Sequence, residues 1–275
     1  IDTNGKVLAF TDVQYVNEKN ISAILNGEKV SFSEKDDMLN YNGNTPLIQL
    51  NQNITAFEKE NLKLSYSAVL PYLAGIPSAY GVKDDSIQQT RRTYIINFPI
   101  VRVYLLAFGK LLTLPDNRII LEVKDPAMYH FDKAKSYLAE WSKTGVVCYE
   151  SVLPFGISDS LRIRMLTQDM NKYLNLNGRM EKRRLKCLVM SRADTTSGLL
   201  KTNGRIGRRN TLHSNEPIKQ LRYAHLDNII WELNDVPGSL PAVDETNFSS
   251  EVDMDLKISS FANLDEVRAA IKPYG

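Results

Sequence analysis

Apolar residues with helical spacing occur twice in this chain, and each position of the first set recurs 126 residues later, as from Ile100 to Leu226. Residues at i, i+3, i+4 and i+7 share one face of a helix. A run with the character of a strand precedes each set, Arg92–Phe98 in the first case and Lys219–Tyr223 in the second. The chain is therefore constrained to form two units in which a strand leads into a helix with one buried face. The apolar positions are Ile100, Val103, Tyr104 and Ala107 in the first helix, and Leu226, Ile229, Ile230 and Leu233 in the second.

The other elements predicted around each helix give both units the order strand–helix–strand–strand–helix–strand. We predict an α+β fold in which each unit packs its helices on one face of a mainly antiparallel sheet. The further elements of the first unit are strands at Arg118–Val123, Val146–Leu153 and Arg179–Ser191, and helices at Ala134–Trp141 and Asp159–Leu176. Those of the second unit are strands at Ala242–Thr246 and Val252–Ile258, and a helix at Leu264–Pro273.

The two predicted units differ in how they end. The helix ends Leu174–Gly178 and Ile271–Gly275 are comparable, but only the first continues, into the strand Arg179–Ser191. We therefore expect the second unit to lack its final strand and its sheet to have one strand fewer.

The remaining residues are predicted to form connections. Residues 33–60 are rich in Asn, Asp and Glu and show little periodicity, which is typical of a linker. Within 33–90 only Leu62–Val69 alternates like a half-buried strand. The predicted boundaries are therefore 33–90 for a linker and irregular segment, 91–192 for the first unit, 193–217 for a basic loop and 218–275 for the second unit.

Charge is distributed unevenly, although the formal net charge is only +2. Residues 179–222 hold twelve Lys or Arg against three acids, and residues 223–275 hold ten acids against three bases. One interpretation is an anion-contact surface in the loop; the other is a solvated loop or an internal match to the acidic segment. Aromatic residues are absent between Arg192 and Arg222, so no stacking platform supports nucleic-acid binding. The candidate anion-contact residues are Lys201, Arg205, Arg208 and Arg209.

Catalytic motifs are missing from the sequence. No phosphate-binding loop, nucleophile elbow or dinucleotide fingerprint occurs, and His130, His213 and His225 have no partner at metal-ligand spacing. Asp244 and Glu245 are adjacent on a predicted strand and would point to opposite faces, which favours a turn-forming or ion-pairing role over a catalytic pair. We predict no metal and no cofactor. No apolar run approaches the length of a membrane span.

The two cysteines, Cys148 and Cys187, leave three outcomes open. Both have apolar neighbours in predicted strands, a setting that raises a thiol pKa. Neighbouring strands in the right register would allow a buried structural disulfide. Otherwise the residues are buried free thiols that act as small apolar side chains. The third outcome is a functional thiol pair.

The N-terminal sequence resembles a known family. "IDTNGKVLAF" reads as a hairpin around Asn4-Gly5, and "VNEKNISAILNGEKV" as a helix capped by Asn17 and ended by Asn26-Gly27. Together they resemble the closing hairpin and last helix of a thioredoxin-like domain of the TlpA or peroxiredoxin type. The resemblance implies that residues 1–32 are the C-terminal remnant of such a domain, and that its Cys-x-x-Cys helix lies upstream. The hairpin and helix should then pair with the main body or with a neighbouring molecule.

A second resemblance covers about residues 90–275. "MLTQDMNKYLNLNGRMEKRRLKCLVMSR" and the later "LPAVDETNFSSEVDMDLKI" resemble a soil-associated domain of unknown function with a "GRxExR" strand and a "PVVDETG…YDxDL" segment. That domain occurs fused behind TlpA-like domains in envelope proteins. Asn247 stands where the family usually has Gly, so a tight turn there is expected to be altered.

These resemblances imply a non-catalytic interaction or substrate-docking module of a periplasmic or cell-envelope thiol-disulfide oxidoreductase. Its partners would be the upstream thioredoxin-like domain, a disulfide reductase or a peroxidase, and an envelope client protein. Two alternatives remain open: independent thiol-redox activity through Cys148 and Cys187, and polyanion binding through the loop 201–209.

Overall fold

The computed structural model describes residues 7, 11, 13–28, 30, 45–47, 65–193, 200–202, 204 and 207–275. The chain divides into a first unit, residues 1–111 with 121–180, and a second unit, residues 112–120 with 181–275. Both combine helices with antiparallel sheets, so the predicted α+β class is confirmed.

The first unit contains a four-stranded antiparallel sheet in the order β1-β4-β3-β2. Its elements are α1 (Glu18–Leu25), β1 (Tyr66–Pro71), β2 (Ala79–Asp85), β3 (Thr90–Pro99), α2 (Ile100–Ala107), α3 (Leu138–Gly145), β4 (Val146–Pro154) and α4 (Asp159–Leu174). The core lies where α2 and α4 cover one face of this sheet. Val103 and Met170 from the helices are fully buried there against Ile95 and Tyr149 from the strands.

The second unit contains a three-stranded antiparallel sheet, β6-β7-β9, and a parallel pair, β5-β8. Its elements are β5 (Leu188–Met190), β6 (Arg209–Asn210), β7 (Lys219–Ala224), α5 (Asp227–Asp235), β8 (Ala242–Asp244), β9 (Val252–Leu256) and α6 (Leu264–Ile271). Its core joins Ile229 of α5 and Val267 of α6 to the inward residues of β7 and β9. The predicted strands Ala242–Thr246 and Val252–Ile258 both form in part, but in different sheets.

Three predictions of local structure are wrong. Arg118–Val123 is not a strand, because the chain makes one 3₁₀ turn at Asp116–Arg118 and continues without a strand partner. Only Leu188–Met190 of the predicted strand Arg179–Ser191 forms, since residues 179–187 are exposed and largely charged. The predicted strand Leu62–Val69 forms in part as β1, but the rest of the segment up to residue 90 is not irregular, because β2 completes the sheet of the first unit.

The helix at the N-terminal end forms as predicted. Asn17 caps α1, its side chain accepting the Asn20 N–H at 2.9 Å, and Gly27 follows in the left-handed conformation with φ 74°. The predicted hairpin around Asn4-Gly5 lies outside the described residues.

The strands β3 and β7 carry the same irregularity just before the helix that follows each of them. Their registers shift between Ile95 and Phe98 and between Leu221 and Ala224. Within these bulges Asn97 has φ 52° and Tyr223 has φ 47°. A left-handed conformation is unfavourable for residues other than Gly, and least so for Asn and Asp.

Replacing Tyr223 by Gly should therefore stabilise the second unit by about 0.5–1 kcal/mol, because relief of about 1–2 kcal/mol of left-handed strain outweighs the entropy cost of Gly. Urea unfolding followed by the fluorescence of Trp231, which lies in α5, measures the change. Asn97→Gly is the matched control at the first bulge. It should destabilise, because the Asn97 side chain bonds to Leu73 and Ile76. A loss of stability in Tyr223→Gly would contradict the strain argument.

Candidate functional site

The two cysteines are free thiols in different environments. Cys148 is fully buried in β4, which pairs with β1 and β3. Cys187 is exposed just before β5, which pairs with β8. Of the three outcomes left open by the sequence, the structural disulfide between Cys148 and Cys187 is not formed, because both thiols are free and β4 and β5 are in different sheets. The alternative of two buried thiols holds for Cys148 alone.

Cys148 belongs to a polar cluster that fixes a loop to the sheet. Its thiol accepts the Asn97 N–H at 3.2 Å and donates to Asn97 Oδ1 at 3.3 Å. Asn97 Nδ2 donates to the carbonyls of Leu73 and Ile76 at 2.7 and 2.6 Å, and Oδ1 accepts the Leu73 N–H at 2.9 Å. Burial raises the pKa of the Cys148 thiol. The geometry assigns Cys148 a structural role, and an Asn at the end of an apolar strand was the sequence signal for it.

The predicted anion-contact residues have separate local roles. Lys201 accepts the Asp253 N–H at its carbonyl, at 3.0 Å, alongside β9. Arg209 lies in β6 with its guanidinium 3.8 Å from Glu216, and Arg208 is exposed beside it. Arg205 lies outside the described residues. The predicted loop 193–217 is thus interrupted by a short strand, and one of its cations already contacts an acid.

Asp244, the last residue of β8, has the turn-forming role that the sequence favoured for the pair Asp244 and Glu245. Asp244 Oδ1 accepts the Thr246 N–H at 2.7 Å. Asn247 then takes φ 52°, a left-handed conformation that Asn adopts more readily than most residues other than Gly, and the altered turn stays a prediction. Among the described residues, no three or more His, Cys, Asp or Glu side chains are grouped as metal ligands.

A buried ion pair, missed in the sequence, lies on the sheet face opposite α2 and α4. Glu150 is fully buried in β4, next to the core residue Tyr149 but on the other face, because side chains alternate along a strand. Arg92 Nε donates to Glu150 Oε2 at 2.6 Å, and the Tyr66 hydroxyl donates to Oε1 at 2.5 Å. The Arg92 guanidinium also lies 4.8 Å from the centre of the Tyr94 ring. Burial, then the hydrogen bond to Glu150, raises the pKa of Tyr66, so this phenol is a poor general base.

The same ion pair holds another part of the chain by its backbone. Glu150 Oε2 accepts the Leu47 N–H at 3.0 Å, and Arg92 Nη2 donates to the Thr45 carbonyl at 3.0 Å. We call Arg92 and Glu150 the backbone clamp, and Thr45–Leu47 the strap.

The outer strand β2 presents apolar side chains at the edge of the sheet. Tyr80 and Val82 point to one face and are 52% and 47% exposed, and Ile87 in the following turn is 93% exposed. The Tyr80 ring is held edge-on against Phe98, with 5.3 Å between ring centres. We call Tyr80, Val82 and Ile87 the β2 edge. β2 has seven residues and is an outer strand of the sheet among the described residues, so it can pair with another strand.

A shallow cleft of about 100 Å³ lies where the end of β4 meets β2 and β3. Its cation is already paired, since Arg91 donates to both oxygens of Asp84, at 2.7 and 2.9 Å. The cleft therefore offers little net charge to a ligand. Its lining residues are Asp84, Arg91, Pro154, Phe155, Gly156 and Ile157.

Comparison with known proteins gives no family for this chain: no protein-family model, curated protein or solved structure matches it. In the described part of the chain, none of the helices combines the length and apolar character needed to cross a membrane.

Proposed function

We propose that this chain is a non-catalytic interaction module whose β2 edge binds an extended segment of a client protein. The observation that supports this proposal most is that β2 is a seven-residue outer strand in which Tyr80 and Val82 are half exposed. An outer strand offers its unpaired N–H and C=O groups to an added strand, and neighbouring side chains contribute the contact area. Affinity then comes mainly from the backbone, which suits a module that accepts clients of different sequence.

The second unit supplies an internal contrast. There β6 pairs with β7 as β2 pairs with β3, but β6 has only two residues and begins with Arg209. Short, charged outer strands are how proteins prevent unwanted strand pairing. The length of β2 and the half-exposed Tyr80 and Val82 at its start are therefore what favours a binding role for it, although its second half is charged.

We also propose that the two units are related copies. The bulges at Asn97 and Tyr223, each before a helix, support this relation, because they are separated by the same 126 residues as the helix positions. The larger sheet of the second unit has three strands within the described residues, against four in the first. When β6, β7 and β9 are aligned with β2, β3 and β4, the strand without a counterpart among the described residues of the second unit is β1, which is not a final strand.

The wider role in this proposal follows from the resemblances. An upstream thioredoxin-like domain of a periplasmic or cell-envelope protein would perform disulfide or peroxide chemistry, and this module would hold the client beside it. The capped helix α1 is consistent with the last helix of such a domain.

A defined strand-forming probe tests the binding site. We expect a fluorescent peptide of alternating Thr and Val with flanking Lys residues to bind the protein, and Val82→Lys to weaken binding at least tenfold, or about 1.4 kcal/mol. Leu240→Lys is the matched control, because Leu240 is also 47% exposed but lies in the second unit. Fluorescence anisotropy measures each affinity.

A second version of the probe separates strand pairing from hydrophobic attachment. Methylation of alternate backbone nitrogens removes the N–H donors on one edge of the peptide, so binding should be lost. Equal binding by the methylated probe, or equal weakening in Leu240→Lys, would show that the β2 edge does not pair with a strand.

A further inference from the structure

The backbone clamp contacts the strap through main-chain atoms. Glu150 accepts an N–H from Leu47, and Arg92 donates to the carbonyl two residues earlier, at Thr45. Pro46 between them is exposed and has no N–H to satisfy. The two contacts therefore recognise a main-chain carbonyl at the first residue and a main-chain N–H at the third. They do not depend on the side chains of these residues, and the residue between them does not have to donate a hydrogen bond.

A polypeptide backbone bound at this position stabilises the backbone clamp, because it hydrogen-bonds to both of its charged side chains. Glu150 is fully buried, and a buried carboxylate is stabilised only when its charge is paired and its oxygens are hydrogen-bonded. Without the strap, Oε2 would lose the Leu47 donor and Arg92 Nη2 the Thr45 acceptor. The sheet face therefore favours a bound polypeptide backbone over an empty state.

We propose that this sheet face is a binding site for a partner polypeptide with an x-Pro-apolar sequence that bends as the strap does at Thr45 and Leu47, and that the strap occupies the site as an exchangeable internal ligand. The strap shows the chemistry that fits: a carbonyl for Arg92, a proline facing solvent and an N–H for Glu150. This site differs from the β2 edge, because two buried side chains, rather than an open strand, hold the polypeptide. It does not depend on the function proposed for that edge.

The test uses the full chain and a fluorescein-labelled peptide with the sequence of residues 43–49. Leu47→Pro removes from the strap the N–H that Glu150 accepts, while the peptide retains its own. We expect the peptide to bind Leu47→Pro about tenfold more tightly than the wild type, since the internal competitor is weakened. Thr45→Ala is the control that keeps the main-chain contacts, and it should bind the peptide as the wild type does.

The clamp itself is tested in the Leu47→Pro background. Adding Glu150→Gln should weaken peptide binding at least tenfold, and circular dichroism with thermal unfolding checks that each variant is folded. A peptide with N-methyl leucine at the position of Leu47 should not bind a folded Leu47→Pro protein. No binding to folded Leu47→Pro, binding of the methylated peptide, or a dimer formed by exchanged straps without peptide binding would each overturn the proposal. If Glu150→Gln does not fold, the comparison of the methylated and unmethylated peptides on Leu47→Pro tests the proposal by itself.

Discussion

Replacing Arg92 by Ala is expected to lower the free energy of unfolding of the first unit by about 3–5 kcal/mol. The guanidinium is the cation bonded to the fully buried Glu150, at 2.6 Å. Its removal would leave this carboxylate with the Tyr66 hydroxyl and the Leu47 N–H but without an opposite charge at that position. Breaking a buried pair costs more than the pair contributes, because the remaining charge stays desolvated.

The two tryptophans make this measurement specific for one unit. Trp141 lies in α3 of the first unit and Trp231 in α5 of the second. In a Trp231→Phe background, urea unfolding followed by fluorescence reports on the first unit alone. Arg91→Ala is the matched control, because its ion pair with Asp84 is exposed and should contribute little.

A double substitution distinguishes loss of charge pairing from loss of packing. Arg92→Met with Glu150→Leu removes both charges and keeps most of the volume, so it should recover most of the stability lost in Arg92→Ala. A cost below about 1 kcal/mol for Arg92→Ala would show that the buried pair does not hold β3 and β4 together.

Local apolar periodicity was sufficient to predict the elements that form the cores. The predicted strand Val146–Leu153 and the helix beginning at Asp159 agree with β4 and α4 to within a residue or two. In α4, Leu166 and Met170 are buried, whereas Tyr173 is half exposed because it lies at the border of the buried face. Such segments are predictable because their burial is encoded in consecutive turns or alternate residues.

The strand β2 was missed because its stability comes from a distant partner. Its sequence contains Gly81 and follows a stretch with two prolines and one glycine, Pro71, Gly75 and Pro77, which predicts a loop. In the structure Tyr80 lies opposite Ile95 and Gly81 opposite Tyr94, whose ring occupies the space of a missing side chain. Strand formation depends on such cross-strand neighbours more than on local preference. At Arg118–Val123 a strand was predicted that does not form. The cause is again the lack of information on distant partners, since this apolar run pairs with no strand in the described part of the structure.

The backbone clamp could not be predicted from spacing, because Arg92 and Glu150 are 58 residues apart. They meet because the register between β3 and β4 places Arg92 opposite Val152, two residues from Glu150 on the same face. The available signal was a single acid in the middle of the apolar strand Val146–Leu153. A charged residue in such a position requires a partner, but the sequence does not name it.

The two thiols are expected to differ in reactivity toward dithiobis-nitrobenzoate by at least about 10³-fold. Cys187 is exposed, so it should react at once. Cys148 is fully buried, and burial raises its pKa, so its reaction requires an opening of the sheet. Opening a core strand costs up to the whole free energy of unfolding, about 5–15 kcal/mol, and each 1.4 kcal/mol lowers the rate tenfold.

Single substitutions assign the two phases. Cys187→Ser should remove the fast phase and Cys148→Ser the slow one, and in guanidinium chloride both thiols should react quickly. Because one thiol is buried in β4 and the other is exposed just before β5, which belongs to another sheet, we expect insulin reduction by the chain to equal that of a variant in which both cysteines are Ser. Two equally fast thiols, or a Cys148–Cys187 disulfide formed by mild oxidation of the folded protein, would instead support independent redox activity. That result would overturn the proposal that the chain is a non-catalytic module.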